Sequence, residues 1–229
     1  MVASDEANAS AEITRARVNY AVPGLAEEDV GETPLSQFSK WLAEAQMANI
    51  PEPNAMSLAT SGPEGPQVRV VLAKDIDEYG VTFFTNLDSV KAQDLAQDSR
   101  AAAVFAWLAQ HRQVRLRGSV VPLDRDVAAE YFATRARGAQ IGAWASPQSE
   151  VISSRADLVE RIRQMEERFP EDAPVPLPDR WGGYRIKPVA IEFWQGQPSR
   201  LHDRIRFQSR QADARLNDAS AWKRERLAP

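Results

Sequence analysis

The chain has 229 residues, 43% hydrophobic and 26% charged, with a formal net charge of −4; this supplies a core, and the acidic balance argues against general nucleic-acid binding, which needs a basic face. There is no cysteine and there are two histidines, His111 and His202, which excludes disulfides, thiolate catalysis and cysteine-bound zinc and leaves little for a metal site. The opening MVASDEANASAEITRAR has no basic start followed by an apolar run, and no stretch nears the roughly 18 apolar residues that cross a bilayer, so a cytoplasmic protein with no membrane contact is expected.

Residues 1–12 are small and polar, and a disordered tail is predicted over 1–14, ahead of one domain over 15–229. Thr33-Pro34 marks a helix start, with Thr33 as N-cap and Pro34 in the first turn. Leu35, Phe38, Trp41, Leu42 and Ala45 follow at helical spacing, until Pro51–Asn54 breaks the run. Strands are predicted at Ala55–Thr60 and Gln67–Lys74, around a turn at Ser61–Gly65, and again at Val81–Thr85. A short helix runs from Asp88 or Ser89 to about Gln97, followed by strands at Ala101–Trp107 and Gln113–Val121. In the latter, Val114 and Leu116 alternate with Gln113, Arg115 and Arg117, the pattern of a half-buried strand. Asp124 caps a helix through Arg135, and Ser153 or Ser154 caps another, with Leu158, Ile162, Met165 and Phe169 on one face. Glu171–Pro178 is a proline-rich connector, and strands return at Ala190–Trp194, Arg200–Phe207 and Trp222–Leu227. Short antiparallel-looking strands with intervening helices predict an α+β, mainly β, barrel flanked by helices. A doubly wound parallel sheet fits less well, because no Gly-rich strand-to-helix turn occurs.

Two patterns bear on chemistry. In IEFWQGQPSRLHDR (191–204), Arg200, His202 and Arg204 are spaced by two, so a strand would turn all three to one cationic face suited to a phosphate, a carboxylate or a reduced-flavin anion. Spacing alone leaves open that this is an ordinary solvated face. Tyr131 and Arg135 stand four apart and would share a helix face, which also describes an amphipathic helix with a snorkelling arginine.

IEFWQ, four residues, then RLHDR is very similar to the signature of the pyridoxamine 5'-phosphate oxidase family. WGGYRI (181–186), RGAQIGAWASPQS (137–149), RVVLAK (69–74), FFTN (83–86) and RLAP (226–229) resemble other segments of that family, in its order. The resemblance implies an antiparallel, Greek-key-like split β-barrel binding FMN at the interface of a homodimer. It implies oxidation of pyridoxamine or pyridoxine 5'-phosphate to pyridoxal 5'-phosphate by O2. It assigns the cofactor to Arg69, Val70, Val71, Leu72, Lys74, Phe84, Thr85, Lys91, Gln113, Gln148, Ser149, Trp194 and Arg204. The substrate phosphate falls to Lys74, Tyr131 and Arg135, and the substrate ring to Arg200 and His202, the candidate catalytic pair. Arg17 and Tyr20 resemble a segment that closes over the site. No metal is implied. Val90 stands where many relatives have arginine beside the FMN phosphate, and Ala139 where some have serine. Arg69 and Lys74 differ by five, so an ideal strand would put them on opposite faces. The alternatives are a split-barrel flavin oxidoreductase of phenazine or deazaflavin type, and a non-enzymatic flavin- or haem-binding protein.

Overall fold

The structure is a computed structural model that describes Tyr20 and residues 22–229; the predicted tail over 1–14, and Arg17, lie outside the described residues. Nine strands form one antiparallel sheet: β1 (Ala55–Gly62), β2 (Gly65–Leu72), β3 (Asp75–Asp77), β4 (Gly80–Asn86), β5 (Arg100–Trp107), β6 (Arg112–Pro122), β7 (Trp181–Gln195), β8 (Asp203–Ser209) and β9 (Trp222–Arg226). Their order is β2-β1-β5-β6-β7-β4-β3, with β8 pairing β7 and β9. β2 and β3 end that path on opposite sides, yet only Ala73 and Lys74 separate them in sequence. The sheet must therefore curl on itself, and the Lys74 N–H donates to the Thr82 carbonyl of β4 at 2.8 Å. This is a split barrel, flanked by α1 (Pro34–Met47), α2 (Val90–Gln97), α3 (Arg125–Ala133), α4 (Arg137–Ala145) and α5 (Arg155–Arg168).

The start of α1 is fixed locally. Thr33 accepts from the Ser36 N–H at 3.1 Å, and Ser36 Oγ accepts from the Thr33 N–H, a reciprocal cap. The apolar face of α1 then enters the barrel: Trp41 packs edge-on against Phe193 at 5.4 Å and Phe38 against Phe105 at 4.9 Å. Such aromatic pairs add about 0.5–1.5 kcal/mol each beyond area burial. A second, smaller cluster of Phe132, Ile141, Val175 and Trp181 ties α3 and α4 to the start of β7.

Three expectations are corrected. The predicted strand Ala190–Trp194 is the far end of β7, which begins at Trp181. Pro188 lacks an N–H, and the β6–β7 register shifts beside it, between Arg117 and Gly118, so the strand continues past the proline through a bulge. The strand predicted from Arg200 begins at Asp203; Pro198–Arg200 form a 3-10 turn, with Ser199 at φ 56° and Arg200 at φ 62°. Helix α3 ends at Ala133, so Arg135 lies beyond it. Helix α4 and strand β3 were not anticipated.

Candidate active site

One cavity of about 1070 Å³ opens beside the barrel, between β2, β4, α2 and the α3–α4 region. It brings together Arg69, Val70, Val71, Leu72, Lys74, Phe84, Thr85, Lys91, Tyr131, Arg135, Gln148 and Ser149. Val90 and Ala139 line it too, as do Trp181 and Gly142, which the sequence did not single out as site residues. The spacing problem of Arg69 and Lys74 is resolved by where β2 stops. It ends at Leu72, and the next two residues turn toward β4, so both cations reach the same space.

Arg69 is anchored from below. Its Nη1 donates to Thr60 Oγ1 at 2.6 Å and to the Leu58 carbonyl at 3.3 Å. Thr60 in turn donates to Asp94 Oδ2 at 2.6 Å, and that carboxylate lies 3.8 Å from Arg69 Nη2. Burial pulls the Arg69 guanidinium below its usual range, and Asp94 opposes that pull. Lys91, at the start of α2, is 7% exposed. Its Nζ donates to Thr85 Oγ1 and Ser89 Oγ at 3.1 Å and to Gln148 Oε1 at 3.3 Å. All three acceptors are neutral. Desolvation, aided by the charge of Arg69, pushes its pKa down to about 8. Two cations held side by side with one buried carboxylate make a site that favours an added anion, and the phosphate of FMN fits that chemistry.

Phe84, which also lines the cavity, stacks on Tyr131 at 4.1 Å and is parallel to Trp181 at 5.4 Å. Arg135 lies over the Trp181 ring at 4.7 Å. Its Nη1 is buried without a hydrogen-bond partner among the described residues, and burial lowers its pKa.

The remaining predicted residues do not line this cavity; they cluster at the far end of β7. Gln113, Trp194 and Arg204 are cross-strand neighbours on β6, β7 and β8. Arg204 Nε donates to Glu192 Oε1 at 2.7 Å and its Nη2 to Oε2 at 3.2 Å, which raises its pKa. His202 sits 4.6 Å from the Trp194 ring and 5.8 Å from Tyr20. Burial, with the charge of Arg200, lowers its pKa. Its Nδ1 accepts from the Gln197 N–H at 3.1 Å. Arg200 is exposed and, like His202, precedes β8, so the two do not share a strand face with Arg204; Asp203 is tied to Leu25 N–H and Arg226. The two-residue periodicity that put these side chains on one face fails because Pro198 cannot donate to a ladder and the following two residues turn left-handed. Among the described residues, no group of three or more His, Cys, Asp or Glu could hold a metal, and no helix is long and apolar enough to cross a membrane.

The fold is the antiparallel split barrel shared with a pyridoxamine 5'-phosphate oxidase-related, FMN-binding protein from Nostoc punctiforme, with TM-score 0.63 at 19% identity, over 84% of this chain and 97% of that one. Residues 42–169 match the family described as pyridoxamine 5'-phosphate oxidase, and residues 181–229 the pyridoxine 5'-phosphate oxidase C-terminal dimerisation region. The chain belongs to the pyridoxamine 5'-phosphate oxidase family. It is 46% identical to a pyridoxine/pyridoxamine 5'-phosphate oxidase of Salinibacter ruber and 49% identical to one of Burkholderia ambifaria, in each case over 93% of this chain and 97% of the relative. The structure of PhzG from Burkholderia lata, in complex with tetrahydrophenazine-1-carboxylic acid, is also similar: TM-score 0.80 and 29% identity, over 92% of this chain and all of that one.

Proposed function

We propose that the protein oxidises pyridoxamine 5'-phosphate or pyridoxine 5'-phosphate to pyridoxal 5'-phosphate, with FMN as cofactor and O2 as the final acceptor, releasing H2O2. With the amine, water completes the reaction and ammonia leaves. The observation that carries this reading is one cavity lined by four cations, Arg69, Lys74, Lys91 and Arg135. That arrangement suits a cofactor phosphate and a substrate phosphate.

FMN, when bound, supplies the hydride acceptor. Arg69, Lys91 and Gln148 would hold it from this chain. Arg135 and Lys74 bind the substrate phosphate, and Tyr131 adds a hydroxyl donor beside them. Val70, Val71, Leu72, Thr85 and Ser149 complete the cofactor wall. Gln113, Trp194, Arg204, Arg200, His202 and Tyr20 belong to the same chemistry through a second copy of the chain, whose β7–β8 end would complete the cavity of its partner. The match of 181–229 to a dimerisation region supports this homodimer. His202 is set as a hydrogen-bond donor. A backbone N–H can only donate, so Nδ1 carries a lone pair and the neutral ring holds its proton on Nε2. It therefore orients a substrate oxygen or lone pair, while Arg200 positions the substrate ring. A cytoplasmic location is part of the proposal and rests on the sequence.

The likeness to PhzG supports a second reading, a phenazine-type oxidase on the same barrel. The higher identity to the pyridoxine/pyridoxamine 5'-phosphate oxidases favours the first. Oxygen uptake by FMN-loaded protein decides between them. Steady uptake with pyridoxine 5'-phosphate, matched by pyridoxal 5'-phosphate formed, is expected; none with either B6 phosphate would refute the proposal.

A further inference from the structure

A guanidinium drawn partly out of water normally has a carboxylate beside it, because an unpaired charge there is costly. Arg135 departs from this. Its Nη1 is buried and has no hydrogen-bond partner among the described residues. What lies against it is the face of Trp181, 4.7 Å from the guanidinium carbon, with the Phe132 ring at 5.6 Å. An aromatic face attracts a cation without neutralising it. A carboxylate there would compete with any incoming anion; an indole does not.

Trp181 is itself held firmly. It is 6% exposed, and its backbone pairs with Asn86 at the end of β4. Its ring is within 3° of parallel to Phe84, which lies within 9° of Tyr131. Phe84 can lie flat there because Gly183 faces it across the ladder: a Cβ on Gly183 would meet the Phe84 ring at 2.7 Å and Leu123 at 2.8 Å. The β4–β7 register thus sets the aromatic stack, and the stack sets the guanidinium.

We propose that Trp181 is a positioning residue for Arg135, holding its guanidinium in place through the ring face and leaving its charge free for the phosphate of the substrate. This rests on the reading of the cavity as a phosphorylated-substrate site. It makes Trp181 a determinant of selectivity for the phosphorylated over the free vitamer, acting on binding and not on hydride transfer.

The test uses FMN-loaded protein, so that the cofactor phosphate site is filled, and ligands that cannot react: 4-deoxypyridoxine 5'-phosphate and 4-deoxypyridoxine, which lack the oxidisable oxygen. Calorimetric titration of Trp181→Leu is expected to show about tenfold weaker binding of the phosphorylated ligand, about 1.4 kcal/mol, with the free ligand changed less than about twofold. Trp181→Phe, which keeps a ring face, is expected to recover most of the loss. In turnover the same loss should fall on KM, with kcat nearly unchanged. Trp181→Met replaces Trp181→Leu if the latter does not purify with FMN. Equal weakening of both ligands, or Phe and Leu variants that behave alike, would overturn the inference. Inorganic phosphate, titrated into the same proteins, separates this from the choice of substrate. Wild-type protein that binds phosphate, loses it in Trp181→Leu and ignores both deoxypyridoxines would refute the vitamin reading while keeping Trp181 in its role. No phosphate binding and no ligand binding by wild-type protein would refute both.

Discussion

Binding of FMN should draw a proton onto the protein at alkaline pH. Lys91 in the free protein has a pKa pushed down to about 8 by burial and by Arg69. A group titrating there is about nine-tenths protonated at pH 7 and about one-tenth at pH 9. The second ionisation of a phosphate lies near 6, so the ligand is largely dianionic across that window. A dianion beside Lys91 raises its pKa, so the bound state carries more protons than the free state above pH 8. Affinity is therefore greatest below 8 and falls as pH rises, by about tenfold between pH 7 and 9, or about 1.4 kcal/mol. Stability of the flavin-free protein runs the other way. Its folded pKa lies below the unfolded value of 10.5, so the unfolded chain binds more protons between the two, and stability rises over that range. The assay is quenching of flavin fluorescence on titration into flavin-free protein at several pH values, with riboflavin, which has no phosphate, as control. Lys91→Arg should remove the slope, because guanidinium does not titrate there. A wild-type affinity that is flat from pH 7 to 9, or a Lys91→Arg slope equal to that of wild type, would refute the reasoning.

Arg135→Ala should weaken phosphorylated substrate roughly tenfold to a hundredfold, as expected for a charge-assisted hydrogen bond of about 1.5–3 kcal/mol, while KM for free pyridoxine holds; equal losses would make Arg135 merely structural. Gly183→Ala should lower the melting temperature, because the added methyl overlaps Phe84 and Leu123, and overpacking of this kind typically costs about 1–3 kcal/mol; an unchanged melt would contradict the packing described. Since the pKa of His202 lies below its usual value, kcat/KM should fall only as pH drops through that lowered value, where protonation of Nδ1 breaks the bond from the Gln197 N–H; His202→Asn should lose this acid limb, and a limb that persists would assign it elsewhere. Arg200→Lys should lower kcat/KM more than tenfold with FMN retained, because an ammonium does not reproduce the planar fork. Light scattering should show a homodimer, with an interface on the order of 2,000 Å² or more; a monomer that binds FMN tightly would contradict the shared site.

What was legible in the sequence was local or periodic. Thr33-Pro34 and the spacing of Phe38, Trp41 and Ala45 define α1 because cap and apolar stripe both lie within the segment. Alternation at Val114 and Leu116 marks β6 because one face of that strand is buried and the other is not. The full length of β7 is hidden in the sequence because Ala190, Ile191, Glu192 and Phe193 are buried in succession, which masks the period of two, and because Pro188 sits at a bulge. Helix α4 carries little signal in the sequence because Arg137–Ala145 is short, holds Gly138 and Gly142, and buries only Ile141 and Ala145. Family resemblance named most of the cavity wall, but it could not say that Arg200 leaves the strand. That depends on two left-handed residues that carry side chains, Ser199 and Arg200, and no residue type there demands it. Nor did the sequence expose Trp181, whose relation to Arg135 exists only once β7 and the end of α3 are packed together. The motif WGGYRI was its one visible signal.

The central claim is that this chain, loaded with FMN, takes a hydride from a phosphorylated B6 vitamer. Its most direct test is a single anaerobic turnover: FMN-loaded protein is mixed with pyridoxamine 5'-phosphate in stopped flow and the yellow flavin absorbance is followed. The account predicts bleaching with one pyridoxal 5'-phosphate formed per flavin reduced, and return of the colour with H2O2 released when oxygen is admitted. Flavin that stays oxidised with both pyridoxamine 5'-phosphate and pyridoxine 5'-phosphate would contradict it.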